Sequence, residues 1–387
     1  MYQHKVFTYM MKRVAKAVPR ELIESELRPE YVMRPTNHGG NIIYVIDALS
    51  CPNIMREIGR LREWGFRDAG GGTGNDVDID EDDLAVDGYK QLIVWDPDAR
   101  EILGGYRFIV ATSPNQPHLS TEHYFVFSDK FRNEYLPYTI ELGRSFVHPD
   151  YQTRKYRAKG IYALDNLWDG LGTLTMIYPE AKYFFGKVTM YTQYDTKARN
   201  TLMYFLHKYF PDHDKLVDPI CPIPIEYDIP HMEEIFNSGD YKTDYKALVK
   251  ELRDRGEFIP PLINSYMSLS PSMKVFDTVT NPDFGDVEET GILITVKDIY
   301  PNKMERHTQG MESLIANLKY RFRLAISPEN AAAKAKRRAE KAKADKAKKD
   351  EKVIKRAEKQ AAKAVKKETR QAAKAEKKST KATKKEE

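Results

Sequence analysis

Glu141 and Arg144 stand three residues apart in the otherwise apolar, β-prone run 138–147, where a purely structural sheet would carry hydrophobic side chains. A carboxylate in that place can accept a proton in a reaction. A guanidinium can hold the base or bind a second carboxylate. Arg154, Lys155, Arg157 and Lys159 follow, and Gly160 then opens a helix with Ile161, Leu164, Leu167, Trp168 and Leu171 on its apolar face. A strand, a basic loop and a helix N-terminus in succession form an anion site, with backbone N–H groups and the helix dipole facing a phosphate.

Two further motifs weigh less. Residues 70–74 (Gly-Gly-Gly-Thr-Gly) lack the Lys-Ser/Thr ending of a phosphate loop and follow a helix where a dinucleotide fingerprint would follow a strand. They are expected to form a mobile loop. His207 and Asp212 have the His-x4-Asp spacing of glycerolipid O-acyltransferases, but with nine histidines in the chain so loose a match arises by chance, and a helix end is the expected reading. Two cysteines, Cys51 and Cys221, exclude a disulfide framework and a Cys-rich zinc site, and no other metal-ligand set is visible.

The elements that must position these residues read as a mixed α/β body over about 42–326. A helix is expected over 53–66, from the spacing of Ile54, Ile58, Leu61 and Arg62. An acidic run, 76–87, follows the glycines. Residues 92–95 and 102–110 form a hairpin about the turn 96–100. A strand over 138–147, the helix after Gly160, a strand over 183–190 and a helix over 198–209 come next. The stretch to Pro261 is Pro-rich, with one helix over 241–255, and 291–296 is the last strand. Near the start, Phe7, Met10, Met11, Val14 and Val18 lie at helical spacing among Lys5, Lys12, Arg13, Lys16 and Arg20. That pattern suits an amphipathic helix, docked on the protein or lying in a membrane interface.

The run Glu141-Leu142-Gly143-Arg144-Ser145-Phe146-Val147-His148-Pro149-Asp150-Tyr151-Gln152 resembles motif A of the GNAT acyltransferases. More narrowly, it is similar to the hemolysin-like N-acyltransferases of ornithine-lipid and glycine-lipid synthesis, distant relatives of acyl-homoserine-lactone synthases. Residues 56–66, 87–96, 104–108 and 259–266 also match, so the resemblance spans about 42–296. It implies a GNAT-like fold of α/β (α+β) class with a central mixed, mostly antiparallel sheet. It also implies transfer of a (3-hydroxy)fatty acyl group from acyl carrier protein to the amine of glycine or ornithine, with no bound cofactor. Glu141 is then the expected general base, with Arg144 and Arg107 beside it. Arg62, Phe66, Asp83 and Asp87 are expected to bind the amino acid. The usual glycine-rich pyrophosphate loop is replaced by residues 152–160, where only Gly160 remains. Arg154, Lys155, Arg157, Lys159 and Gly160 are therefore expected to hold the single phosphodiester of a phosphopantetheine arm rather than coenzyme A. An acyl-homoserine-lactone-type synthase and a non-catalytic membrane-surface binder or cytolysin are the alternative readings.

Charge divides the 387 residues unevenly. From Ala331 to Glu387 there are 23 Lys and Arg against 9 Asp and Glu, while the other 330 residues carry 39 against 48. An acidic body therefore precedes a basic, Ala/Lys-rich tail that cannot bury a core. The expected organisation is an amphipathic extension (1–41), an acyltransferase domain (42–328) and a low-complexity tail (329–387), helical or disordered. The tail suits an anionic membrane surface or an acidic partner; without aromatic residues for base stacking, nucleic acid is not expected. A downstream O-acyltransferase is a further expected partner. No apolar run reaches the ~18 residues of a membrane span, and lysines and arginines interrupt every early apolar stretch. The expected location is cytoplasmic, peripheral at the inner face of the membrane.

Overall fold

The computed structural model describes residues 11–111, 119–153 and 157–308, residues 157–161 by backbone alone. These residues belong to one compact unit, 1–322; the second unit, 323–387, and with it the whole of the expected tail, lies outside the described residues.

In chain order the elements are α1 (Arg20–Glu26), β1 (Val32–Pro35), β2 (Ile42–Asp47), α2 (Pro52–Asp68), α3 (Glu81–Leu84), β3 (Lys90–Asp96), β4 (Glu101–Val110), β5 (Phe125–Phe127) and β6 (Thr139–Val147). There follow α4 (Arg157–Ile177), β7 (Tyr183–Met190), α5 (Thr196–Tyr209), β8 (Val217–Pro219), α6 (Ile229–Ile235), α7 (Tyr241–Asp254), α8 (Pro261–Met267), β9 (Lys274–Asn281), β10 (Val287–Thr295) and α9 (Pro301–Thr308). Eight strands form one sheet in the order β1-β2-β3-β4-β6-β7-β10-β9, and β5 pairs with β8 apart from it. Every neighbouring pair is antiparallel except β6 with β7, which α4 joins as a crossover. This is the mixed, mostly antiparallel sheet the sequence led us to expect.

Strand alternation gives the sheet two unlike faces. Leu92, Val94, Tyr106, Phe108, Ile140, Phe184, Val188, Ile292 and Ile294 face α4, α5 and α7 and make the larger core. The opposite face carries two separate apolar clusters. One packs Ile93, Trp95 and Phe146 against Ile54, Ile58 and Leu61 of α2. The other gathers Tyr89, Ile109, Phe125, Phe185, Phe276 and Leu293. Along β3, Tyr89 belongs to the second cluster and Ile93 to the first, and Gln91 lies between them.

Three expectations change. Residues 11–19 are not helical: Lys12 N–H donates to Gly74 O and Ala15 N–H to Asp76 O, both at 2.9 Å. These bonds to a loop replace the i to i−4 bonds a helix would need, and Val18 is buried beside α2. Phe7 and Met10 lie outside the described residues. The glycine loop is held rather than free. Thr73 and Gly74 donate their N–H groups to the buried Glu63 carboxylate at 3.0 and 2.8 Å, and Gly70, Gly72 and Gly74 take the left-handed backbone the turn demands. Its amides are thereby used within the chain. Finally, α4 starts at Arg157, which puts Gly160 in its first turn rather than before it.

The parallel pairing is short. Thr139, Ile140, Glu141 and Leu142 pair with Tyr183, Phe184, Phe185 and Gly186; beyond that β6 bonds only β4, and β7 only β10. The sheet forks there. Gly186 makes the last pair, and a Cβ on it would lie 2.6 Å from Leu142 O, so the two backbones can meet only through glycine. Gly186→Ala is expected to cost about 1–3 kcal/mol, as overpacking does. Urea unfolding measures this, and an unchanged midpoint would mean that the fork opens freely at this residue.

Candidate active site

The stretch of β6 beyond the fork, paired there with β4 alone among the described residues, contains a bulge. Arg107 pairs with Gly143 and Gly105 with Phe146, so Arg144 and Ser145 together oppose Tyr106. Arg144 has φ +51°, an unusual conformation for a side chain of its size, and the bulge turns it to the same face as Glu141 and Arg107. A row of polar side chains thus crosses this face from β3 to β10: Gln91, Arg107, Glu141 with Arg144, Lys187 and Glu289, between the two apolar clusters.

The acidic run supplies the counter-charges. Asp80 caps α3 by accepting from Asp83 N–H at 3.0 Å, and Asp83 returns an oxygen to Asp80 N–H. The cap presents several carboxylates to the arginines. Arg107 Nη1 donates to both Asp80 oxygens at 2.7 Å and lies 3.3 Å from Asp83; Arg62, fully buried, pairs with Asp83 at 3.2 Å and donates to Gln91. Arg144 pairs with Asp78 at 3.0 Å and Asp80 at 3.5 Å, and its guanidinium lies 4.7 Å from the Phe284 ring centre. Burial pushes the Asp83 carboxyl up, but Arg62 and Arg107 overcome it and hold the group below the usual range. For Asp78 burial prevails over Arg144 and Arg62, and the carboxyl is raised.

Glu141 is also fully buried, and both its oxygens are engaged. Ser120 Oγ donates at 2.7 Å, Thr121 N–H at 3.2 Å and Thr121 Oγ1 at 3.2 Å. Burial still raises its pKa, because these hydrogen bonds and Arg107 only partly offset the loss of water. Lys187, the first β7 residue past the fork, ion-pairs with Glu289 and lies 4.5 Å from the Tyr124 ring centre. Burial holds its ammonium well below the ordinary lysine range, helped by Arg144 and Arg107.

The structure therefore brings together Glu141, Arg144, Arg107, Arg62 and Asp83. Phe66 joins them indirectly, its ring 5.2 Å from that of Phe284. Asp87 does not join them: it is exposed and makes no ion pair among the described residues, because the α3 cap turns Asp78, Asp80 and Asp83 inward instead. Arg157, Lys159 and Gly160 lie in the first turn of α4, just after β6, with side chains that are not described; Arg154 and Lys155 lie outside the described residues. The sequence reading missed Asp78, Asp80, Lys187, Glu289 and the Ser120–Thr121 donors. Lys187 carried the same signal as Glu141, a charge inside an apolar strand.

At the fork a small cavity of about 30 Å³ is lined by apolar side chains that include Leu142, Phe184, Val188, Ile292 and Ile294, and also by Tyr266 and by Lys187 of the charged row. A larger open depression on α7, between Tyr245 and Asp254, contains no residue of the charged row. Among the described residues no cluster of three or more His, Cys, Asp or Glu could hold a metal ion, and no helix is long and apolar enough to cross a membrane. A forked sheet with charge on one face and a mainly apolar slot at the fork can bring a polar nucleophile to a lipid-like electrophile.

Comparison with known proteins decides the family. Residues 61–159 match the family described as Acetyltransferase (GNAT) domain. A glycine N(alpha)-acyltransferase of Bacteroides thetaiotaomicron is 52% identical over 304 residues, covering 77% of this chain and 90% of that protein. One from Phocaeicola vulgatus is 51% identical over 304 residues, covering 77% of this chain and 93% of that protein. The chain belongs to the GNAT-related N-acyltransferases. As such an acyltransferase it needs a nucleophile site and an acyl site that meet, and the fork is where its two unlike faces communicate.

The buried pairs of this acyltransferase carry a stability consequence. Removing Arg62 leaves the buried Asp83 carboxylate with Arg107 as its remaining cation, so Arg62→Leu is expected to cost up to about 3–5 kcal/mol, the range for breaking a buried pair. In a cycle with Asp83→Leu the two effects should depart from additivity by more than about 0.5 kcal/mol. Urea unfolding of the four proteins tests this, and strict additivity would show that the pair is not coupled.

Proposed function

We propose that this enzyme transfers a 3-hydroxylated fatty acyl group from the phosphopantetheine thioester of acyl carrier protein to the α-amine of glycine, forming an N-acylglycine for amino-acid lipid synthesis. The observation that carries the reading is the fork between β6 and β7, with ion pairs on one face and a mainly apolar slot that Lys187 also lines. Glycine as acceptor is supported by the names of both relatives. The carrier protein is supported by the basic sequence at 154–159, which suits an acidic carrier, and by the missing glycine-rich loop.

In this reading the thioester carbonyl enters the fork, and free N–H groups on the inner edge of β6 receive the developing oxyanion. Losing one such donor typically costs 10²–10³ in rate. The amine nitrogen bonds to the carbonyl carbon, the C–S bond breaks, and the thiolate leaves to be protonated. Glu141, with its raised pKa, takes the proton from the attacking amine directly or through a water. Arg107 and Arg144 fix the charges around it. The acyl chain lies toward the slot. On the same face of the sheet the hydroxyl of Tyr106 is buried, makes no hydrogen bond among the described residues, and interacts electrostatically with Tyr266, which lines the slot. A hydroxyl on the chain would give it a partner.

Glu141→Gln keeps the shape and the acceptor oxygen but removes the base. The expected kcat falls by about 10²–10⁴ with an intact fold by circular dichroism. The wild-type rate should fall as the pH drops through a pKa above the ordinary carboxylate range, and the residual rate of the variant should lack that limb. Near-normal turnover of the variant would make Glu141 structural. Tyr106→Phe should shrink the preference for 3-hydroxyacyl over unsubstituted donors by about tenfold, the worth of one hydrogen bond. An unchanged preference would leave the hydroxyl unread by Tyr106. Assays with acyl carrier protein and coenzyme A donors at low salt test the carrier, and equal kcat/KM for both would count against it.

A further inference from the structure

The polar groups past the fork on the charged face are incompletely paired. Among the described residues, Lys187 uses one of its three N–H donors, on Glu289. Asn281 donates Nδ2 to Glu289 at 3.0 Å, while its own buried Oδ1 accepts nothing among the described residues. Asp78, fully buried, has the Arg144 ion pair, yet neither oxygen accepts a hydrogen bond among the described residues. These groups surround one region, because Lys187 senses the charges of Arg144 and Asp78, and Tyr124, under the Lys187 ammonium, senses Arg144 and contacts Asn281. Buried polar atoms in folded proteins nearly always have partners, so this concentration of spare donors and acceptors beside the fork calls for one.

Resting on the acyltransfer reading above, we infer that this region is the acceptor subsite: Lys187 and Arg144 hold the carboxylate of a small zwitterionic amino acid, and Asp78 with Asn281 Oδ1 receives its ammonium before proton loss. Basic and acidic groups alternate, Lys187 against Glu289 and Arg144 against Asp78, and burial disfavours the charged forms of Lys187 and Asp78. A ligand carrying both signs and no net charge supplies each of these two with an opposite charge, whereas a net anion or cation would leave one partner opposed. The Tyr124 and Phe284 rings bound the region, which favours an acceptor without a large side chain. Lys187 lies one residue beyond the last β6–β7 pair, so an amino acid held there has its nitrogen beside the fork.

The test compares glycine with glycinamide, which keeps the amine and lacks the carboxylate, using the full chain and an acyl carrier protein donor. The wild-type enzyme should favour glycine. In Lys187→Met the KM for glycine should rise by at least about tenfold, the loss of one charge-assisted hydrogen bond, and the glycine-over-glycinamide preference should collapse. The KM for the acyl donor should move less than about twofold. A retained preference with active wild-type enzyme would overturn the subsite while leaving the acyltransfer reading intact. If the wild-type chain neither binds glycine by calorimetry nor acylates it, that reading fails and the subsite with it. Should Lys187→Met fail to fold by circular dichroism, Asp78→Asn carries the test, since an unchanged KM for glycine in that near-isosteric variant would equally overturn the assignment.

Discussion

A parallel strand pair that stops bonding after four residues leaves the inner backbone edges of β6 and β7 without ladder partners. In a sheet covered on both faces, those edges must be satisfied by something other than a neighbouring strand. The rest of the molecule is arranged around that requirement. Glycine at 186 permits the last close pairing, and the Arg144 bulge re-aims a cation toward the gap. The fork joins the charged row to the mainly apolar slot through Lys187, which belongs to both, and in the proposed reading the reacting carbonyl carbon lies between them.

The charged row is costly to bury, and its pairing explains the local structure. Arg62, Arg107 and Arg144 come from a helix and two strands, yet all meet carboxylates from the single turn that includes α3. Each cation offsets the desolvation of the next acid, so the turn cannot move without exposing several unpaired charges at once. The same logic extends to the glycine loop, whose amides bond Glu63 on α2. Residues 11–19 then bond the loop's carbonyl groups from outside. Loop and N-terminal strap act as supports for the acidic turn.

In the proposed mechanism one environment gives Glu141 both a structural and a chemical role. Its hydrogen bonds fix the Ser120–Thr121 turn, which closes over the second apolar cluster, while its burial raises its proton affinity. A carboxylate with only the first role would be easily replaced by an amide. The second role ties it to the fork.

Much of this was legible in the residues. The apolar strands, the amphipathic α2, the hairpin of β3 and β4 and the charges at Glu141 and Arg144 follow from local periodicity and from polar side chains in places where burial is costly, while Arg107 came from the family resemblance. Those signals survive in any fold that uses the segments. What only the tertiary structure decided depends on register and on distant segments meeting. The Arg144 bulge flips a side chain that strict alternation would have sent to the other face. The α3 cap selects Asp78, Asp80 and Asp83 from an acidic run in which Asp87 looked equivalent. The hydrogen bonds of residues 11–19 override a helical spacing, because the donors found loop carbonyls 60 residues away. Lys187 stood out by type, but its meaning depended on Glu289 and Asn281, about 100 residues later, and no local pattern encodes that pairing.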